Sequence, residues 1–333
     1  GKRSLREQLR RARAKAVVVR EVSAAELEPG TRVRGSIDAL IEHWLASRII
    51  APMGFLVEID VYHTPEERRF LIAEQEDRVV GILVAVPVYA RNGWFFEDVL
   101  RDPSAPNGTI ELLFDHAMRL CAATGSEHVT FGLAPLADVP SKPLAWIRDH
   151  TRWLYDFDGL RRFKAKLEPC SWEPVYLAYP RNERGIRAVL DGLKAFARGS
   201  FLKFGWATLQ HQARFVTLLL TLLLIPWTTA LAMIPPRFFP ARGIQMAWVG
   251  FDVLLLIGLL SLLGRWHYKT ATVLAGLAAV DATLGVVQLL THNLDHLGGA
   301  VPVLGSVAAL AAPLFAASFL WTTRHRYDQQ LNE

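Results

Sequence analysis

The strongest constraint on this chain is a series of four long apolar segments in its C-terminal third. Each is long enough, at roughly 20 mostly apolar residues, to cross the hydrocarbon core of a bilayer as an α-helix. Short polar connectors separate the segments, and Pro226 in the first one predicts a kink that a membrane bundle tolerates. The sequence therefore predicts an all-α region of four transmembrane helices at 215–234, 246–263, 270–290 and 301–321.

Basic residues flank these segments unequally. One predicted side of the membrane holds Lys203, Arg214, Arg265, Lys269, Arg324 and Arg326, whereas the other holds only Arg237 and Arg242. Cytoplasmic connectors carry an excess of Lys and Arg. We therefore expect both ends of the four-helix region, and with them the charged residues that precede it, to lie on the cytoplasmic side of the membrane.

Two acidic residues, Asp252 and Asp281, fall inside the predicted spans. Acids within a membrane are costly and mark functional sites by default; the alternative is a structural polar contact between helices. One connector holds His292, Asp295 and His296, which is a weak metal signal because all three share one loop. We predict no metal site.

The residues before the apolar segments have the composition of a soluble protein. The net charge of +5 and the pI of about 9.3 favour anionic partners such as nucleic acid or acidic lipid, although basic connectors in membrane proteins have the same effect. Cys121 and Cys170 are too few for a disulfide framework. The chain begins at Gly1 within a basic stretch, so we expect the natural protein to continue upstream.

Alternating and helical patterns predict a regular order of elements in this soluble part. Strands are predicted at 17–21, 69–74, 79–89, 94–100, 128–132 and 175–179, and helices at 4–16, 35–47, 109–123, 160–166 and 185–197. An antiparallel meander, then a helix, then another strand predicts an N-acetyltransferase-like α/β fold with a mixed, largely antiparallel sheet. Such folds bind acyl-coenzyme A, with the pyrophosphate on the turn before the helix. Here that turn contains Pro103 and Pro106, which lack the N–H groups a phosphate needs, so we predict no coenzyme A and no other cofactor.

Three motifs carry a family resemblance. The first runs from Trp94 through Asp98 and Arg101 to Glu111, the second is 132–136 (Gly-Leu-Ala-Pro-Leu), and the third runs from Asp156 to Pro180. In order and spacing they resemble the C-terminal catalytic domain of the phosphatidylglycerol lysyltransferases, also called aminoacyl-phosphatidylglycerol synthases. The resemblance covers roughly residues 1–182.

The resemblance implies two tandem acetyltransferase-like halves joined by a basic helix, with aminoacyl-tRNA entering from the cytoplasm and lipid from the membrane. On this reading residues 1–182 hold the second half, 183–214 form a linker helix, and 215–323 form the membrane region. The family's membrane helices usually precede the catalytic domain, whereas here they follow it. The implied location is a bacterial cytoplasmic membrane.

The resemblance also implies roles for particular residues. Asp98, Arg101 and Lys164 are implied to act in catalysis, Asp98 as a proton acceptor and Arg101 as a ligand of the lipid phosphate. Because strand residues three apart point to opposite faces, Asp98 and Arg101 share a site only if the strand ends or bulges between them. The alternative is a structural ion pair.

The remaining candidates are assigned to substrate binding. Arg161, Arg162 and Lys166 accompany Lys164 in a basic cluster that suits phosphate groups or forms a solvated helix face. Asn107 is predicted to cap the helix that follows Gly108, and Glu111 is either architectural or part of the site. Gly132 and Pro135 are predicted to shape a substrate tunnel. The histidines, His43 among them, are read as surface or core residues.

Three functions remain in competition. The first is a membrane-anchored aminoacyltransferase that moves lysine or a similar amino acid from aminoacyl-tRNA to phosphatidylglycerol or a related lipid. The second is an acyl-coenzyme A-dependent N-acyltransferase acting on a lipid or peptide. The third is a non-catalytic membrane scaffold that binds RNA or anionic lipid.

Overall fold

The computed structural model describes residues 2–139, 141–150, 152, 155–235, 238–294 and 299–325. The chain divides into two compact units, Gly1–Phe204 and Gly205–Glu333. The first unit is an α/β domain and the second is all-α, as the change in composition along the chain predicts.

A five-stranded sheet forms the centre of the first unit, with the strands side by side in chain order. The first four strands pair antiparallel, and β5 pairs parallel to β4 after a helical crossover. The turn between β2 and β3 consists of Glu76 and Asp77, both at positive φ, which is the geometry of a tight hairpin turn. The strands are β1 (Val18–Glu21), β2 (Arg69–Gln75), β3 (Arg78–Val88), β4 (Gly93–Arg101) and β5 (His128–Thr130).

Helices cover both faces of this sheet. On one face, α1 (Lys2–Ala14), α3 (Thr109–Ala123) and α5 (Phe157–Lys166) pack over a core that includes Leu83, Phe96 and Leu113. On the other face, α2 (Arg32–Ala46) packs over a core that includes Ile37, Leu40, Phe70, Ile82 and Val84. Each fully buried side chain of this size stabilises the fold by roughly 1.5–3 kcal/mol. The mixed, largely antiparallel sheet expected of an N-acetyltransferase-like fold is thus confirmed.

The predicted strand at 175–179 is wrong. In the described part of the chain, residues 171–180 pair with no strand, and Tyr176 is 83% exposed. Pro174 and Pro180 lack the N–H groups that a ladder needs, so alternation of apolar residues alone does not make a strand here. The structure also contains α4 (Lys142–His150), which the sequence patterns do not predict. The range 183–214, assigned to one linker helix, contains two helices, α6 (Gly185–Phe196) and α7 (Phe201–His211), separated by a turn in which Arg198 and Gly199 have positive φ.

The second unit contains four helices that are long and apolar enough to cross a membrane, which confirms the predicted four-helix region. They are α8 (Ala213–Met233), α9 (Arg242–Gly264), α10 (Tyr268–Gln288), which continues as a π-helical turn to Asn293, and α11 (Ala300–Thr323). Asp252 is buried and accepts a hydrogen bond from Thr228 Oγ1 at 3.2 Å, so it has a structural partner. Arg237, Asp295, His296 and Arg326 lie outside the described residues.

Candidate active site

The central strand β4 contains a bulge, and its position decides which side chains share a face. Val84 pairs with Asp98 and Ala85 with Phe96, so the extra residue is Glu97. Because paired residues share a face, Asp98 lies with Val84 on the α2 face. Arg101 pairs with Gly81, where an added Cβ would meet Leu113 and Thr109 of α3, so Arg101 belongs to the opposite face. The bulge precedes Asp98 rather than following it, and therefore these two side chains do not point to one site.

Asp98 lies in an environment that favours its protonated form. Burial raises the pKa of its carboxyl to about 6, and the neighbouring charges of Glu97 and Asp60 act in the same direction, whereas Arg68 opposes them. The Arg68 guanidinium is instead paired with Glu97 at 3.2 Å. A carboxyl whose pKa lies this close to neutrality can both accept and release a proton under physiological conditions, as a general base requires.

Lys164 is another ionisable group of the first unit whose pKa burial moves towards neutral pH. Only 8% of the residue is exposed, and burial lowers the pKa of its ammonium group from 10.5 to about 8. Its Nζ donates a hydrogen bond to the carbonyl oxygen of Leu133 at 2.8 Å. Among the described residues, no carboxylate offsets this effect of burial on the Lys164 pKa. A buried lysine of this kind is costly to fold, which is typical of functional positions.

The loop after β5 contacts both Lys164 and Phe95 of β4. Phe95 pairs with Val86 on the α2 face, and a Cβ added at Gly132 would meet the Phe95 ring at 2.6 Å. Gly132 itself has φ +71, a conformation that favours glycine. Pro135 follows as a half-buried residue of the same loop. Gly132 therefore packs against Phe95, which shares the α2 face of β4 with Asp98, and the carbonyl of the next residue, Leu133, accepts the hydrogen bond of Lys164.

The basic cluster of α5 is divided among different partners. Arg161 forms an ion pair with Asp138 of the loop after β5, and its guanidinium lies 5.6 Å from the centre of the Trp172 ring. Lys166 donates to the largely buried Glu111 of α3 at 3.2 Å. This contact ties α5 to α3 and favours an architectural role for both residues.

Arg162, by contrast, has a 76% exposed side chain, with only a 3.8 Å approach to Asp156. It is the member of the cluster most open to a phosphate group of a ligand.

In the turn after β4, the residue that caps α3 is not the predicted one. Asn107 does not cap α3: the cap residue is Gly108, at φ +96 and without a capping side chain. The reason is that Asn107 is exposed and its Oδ1 accepts instead from Arg101 at 3.4 Å. The Gly108 backbone packs against the Gln8 carbonyl of α1, where an added Cβ would overlap it. With α1 over this turn and two prolines within it, the geometry does not suit the pyrophosphate of coenzyme A.

Sequence patterns do not reveal that a second arginine, Arg48, accompanies Arg101 at this end of the sheet. Arg48, just beyond α2, packs its guanidinium over the Trp44 ring at 4.3 Å. Burial, and then the positive charge of Arg101, lowers the pKa of Arg48, so the two positive charges interact electrostatically. Two such cationic side chains favour an anionic ligand. The residues come from elements far apart in sequence, and only the fold reveals the pair.

The sequence predicts only a surface or core position for His43. It does not reveal a polar network around Asp102 in which His43 takes part. The buried Asp102 carboxylate receives hydrogen bonds from the Ser104 backbone N–H at 2.8 Å and lies 3.2 Å from His43 Nδ1. Burial alone would raise its pKa, but the hydrogen bonds of Ser104 and His43 lower it overall. Asp102 is therefore a structural anion that orders the turn. Within the described residues, no group of three or more His, Cys, Asp or Glu side chains could hold a metal ion.

Comparison with known proteins decides the family. The family model described as "Phosphatidylglycerol lysyltransferase, C-terminal" matches residues 1–179, which includes β1 to β5 and every candidate site residue. The chain belongs to this family. The resemblance read from the three motifs is thus confirmed.

Curated phosphatidylglycerol lysyltransferases give the extent of the similarity. One from Bacillus subtilis is 33% identical over 116 residues, which cover 32% of this chain and 13% of that protein. One from Staphylococcus xylosus is 26% identical over 159 residues, which cover 44% of this chain and 18% of that protein. The chain therefore matches less than a fifth of the length of these relatives.

Solved structures of lysyltransferase-type domains are more distant. The C-terminal domain of a lysylphosphatidylglycerol synthetase from Agrobacterium fabrum has a TM-score of 0.49 and 21% identity, covering 60% of each chain. The structure of L-PGS from Bacillus licheniformis has a TM-score of 0.47 and 20% identity, covering 58% of this chain and 59% of that one.

Proposed function

We propose that this protein is an aminoacyltransferase that moves an amino acid, lysine or a similar one, from aminoacyl-tRNA to phosphatidylglycerol or a related lipid. The observation that carries the proposal is the environment of Asp98 in β4. Its pKa of about 6 gives this side chain the proton affinity of a general base at neutral pH. Membership of the lysyltransferase family supports the choice of donor and acceptor.

The chemistry needs few groups because the donor ester is already activated. A glycerol hydroxyl of the lipid loses its proton to Asp98 and attacks the ester carbonyl, so that a new C–O bond forms. The bond to the terminal ribose oxygen of the tRNA then breaks, and that oxygen takes up a proton. We assign to the Lys164 ammonium the stabilisation of the negative charge on the carbonyl oxygen and the donation of this proton. Its pKa of about 8 supports both roles.

Phosphate groups of both substrates require cationic side chains. We assign Arg101 and Arg48 to one phosphate, because the positive charge of Arg101 acts on Arg48, and the exposed Arg162 to another. Gly132 and Pro135 shape the passage beside Lys164, whereas Glu111, Lys166, Asn107 and Gly108 hold α3 and its neighbours in place. The basic residues next to the spans support a catalytic unit that faces the bacterial cytoplasm.

The test is transfer of label into lipid by membranes that contain the protein. Membranes receive tRNA charged with mixed radiolabelled amino acids, and the lipid extract is separated on a thin-layer plate. We expect a new labelled lipid, which identifies the amino acid, and a loss of about 100- to 10,000-fold in its rate of formation with Asp98→Asn.

The matched control is Asp115→Asn, the same chemical change at a half-buried residue of α3 that pairs with Arg119 and with Arg13 of α1, away from the proposed site. It should leave the rate unchanged. Absence of any labelled lipid, with the protein folded and the tRNA still charged, would refute the aminoacyl transfer and return attention to acyl-coenzyme A donors. Equal rates for wild type and Asp98→Asn would refute the role of Asp98 and favour a non-catalytic scaffold if cells also tolerated Lys164→Ala.

A further inference from the structure

Helix α6 has an apolar stripe that the first unit does not bury. Ile186, Val189, Leu190 and Leu193 follow the spacing that places side chains on one face of a helix. Three of them are well exposed: Ile186 by 62%, Leu190 by 49% and Leu193 by 43%. The opposite face carries charged residues, Arg187 among them. A soluble helix normally turns such a stripe towards its core, so this exposed stripe is available to a partner outside the unit.

The C-terminal end of α6 is fixed to the body of the first unit. The backbone N–H of Gly54 donates to the Phe196 carbonyl oxygen at 3.1 Å, and the rings of Phe55 and Phe196 meet edge to face at 5.4 Å. Arg198 pairs with Glu58 at 2.9 Å. These contacts hold the helix while its stripe faces outward. They also mean that whatever binds α6 positions the whole unit.

The loop that holds α6 adds to its apolar surface. Phe55 is 59% exposed even though it contacts Phe196, and Val57 two residues later is also exposed. Phe55 has φ +61, a conformation that is rare and costly for a bulky residue. Backbone strain of this kind is typical of segments that serve binding.

Charge and position in the chain identify the partner as a lipid surface. Basic residues flank the stripe: Arg184, Arg187 and Lys194, besides Asp191 and Glu183, the latter paired with Arg187 at 3.6 Å. Beyond α6 the chain passes through one short helix and enters the first membrane-spanning helix at Ala213. A helix with an apolar stripe, a basic flank and a membrane span close by in sequence has the features of an interfacial helix.

We propose that α6 lies in the plane of the membrane, with its apolar stripe among the acyl chains and its basic flank among anionic head groups. The helix then seats the first unit on the bilayer in a fixed orientation, with help from Phe55. This proposal rests on exposure, charge and connectivity, and it holds whether or not the protein transfers amino acids.

The experiment maps the depth of α6 in the full chain reconstituted into vesicles. In a Cys121→Ser, Cys170→Ser background, single cysteines carry a nitroxide label at Ile186, Leu190 and Leu193, and at the control positions Arg187, Asp191 and Lys194. Faster spin relaxation of the nitroxide in the presence of oxygen shows that the label lies in lipid. Faster relaxation in the presence of a water-soluble nickel chelate shows that the label lies in water. The vesicles contain either phosphatidylcholine with phosphatidylglycerol or phosphatidylcholine alone.

With phosphatidylglycerol present, we expect the three stripe positions to respond to oxygen and the three controls to nickel, an alternation with the helical period of about 3.6 residues. The oxygen response should weaken in phosphatidylcholine alone. Six nickel-accessible positions would show a helix in water and overturn the proposal. Stripe positions shielded from both reagents would indicate a protein partner or a second copy and would also overturn it. Equal responses in the two lipid compositions would overturn the role of the basic flank.

Discussion

Replacement of Lys164 by methionine is expected to stabilise the first unit. Burial lowers the pKa of this lysine from 10.5 to about 8, which corresponds to about 3 kcal/mol at 1.4 kcal/mol for each pH unit. This is the cost, at neutral pH, of keeping the charge in the folded state. Methionine removes that cost but also removes the hydrogen bond to Leu133, worth about 1.5 kcal/mol. Leu133 is itself 49% exposed, so we expect water to replace this hydrogen bond in part. The expected net gain is roughly 1–2 kcal/mol.

The two pKa values of Lys164 also determine how the free energy of unfolding depends on pH. Between pH 8 and 10.5 the unfolded chain retains a proton on Lys164 that the folded chain has released. The free energy of unfolding therefore rises with pH across this window, and below about pH 8 the penalty is fully present. In Lys164→Met this contribution is absent. The difference in stability between the variant and the wild type should shrink from about pH 8 upwards.

The assay is pulse proteolysis of the full chain in urea and mild detergent. Mass spectrometry quantifies the cleavage that occurs inside the first unit. Lys142→Met is the matched control, since this exposed lysine of α4 should change stability by less than about 0.5 kcal/mol. A lower stability for Lys164→Met, or a difference from the wild type that does not depend on pH between 8 and 10.5, would refute the reasoning. A stabilised variant that also loses transfer activity would show the trade-off typical of functional residues.

Three further predictions follow from the site and its supports. The transfer rate should fall about tenfold for each pH unit below the Asp98 pKa of about 6, and a flat rate profile between pH 4.5 and 7 would contradict a base at this position. A double-mutant cycle of Glu111→Gln and Lys166→Met should give a coupling of roughly 1 kcal/mol in urea unfolding; zero coupling would remove their architectural role. Gly108→Ala should lower stability by roughly 1–3 kcal/mol because φ is +96 and α1 leaves no room for a Cβ. Gly192→Ala, where an added Cβ meets no described atom within 4 Å, should be neutral or stabilising, and thermal unfolding measures both glycine variants.

Local patterns predict the sheet and the membrane helices well, because both are set by short-range periodicity. The hairpin of β2 and β3, the length of α3 and the four long apolar helices follow from alternation, capping and hydropathy. The pattern at 175–179 misleads because a strand needs a neighbour as well as alternation. The bulge at Glu97 is also invisible in the sequence, since it depends on how β3 pairs with β4.

The candidate site was only partly predictable. Motif resemblance points to Asp98 and Lys164, but their shifted pKa values come from burial, which no spacing shows. Arg48 and the contact of His43 with Asp102 come from α2, far from β4 in sequence, and only the fold reveals them. The separation of Asp98 and Arg101 onto opposite faces follows from strand alternation and was predictable once the bulge was located.

The identity of the acyl donor tests the central claim most directly. Purified full chain in vesicles containing phosphatidylglycerol would receive equal concentrations of carbon-14-labelled aminoacyl-tRNA and tritium-labelled acetyl-coenzyme A, and both labels would be counted in the extracted lipid. We predict carbon-14 in the lipid and no tritium, with the carbon-14 signal lost in Asp98→Asn. Tritium in the lipid, or carbon-14 incorporation that survives this substitution, would contradict the account.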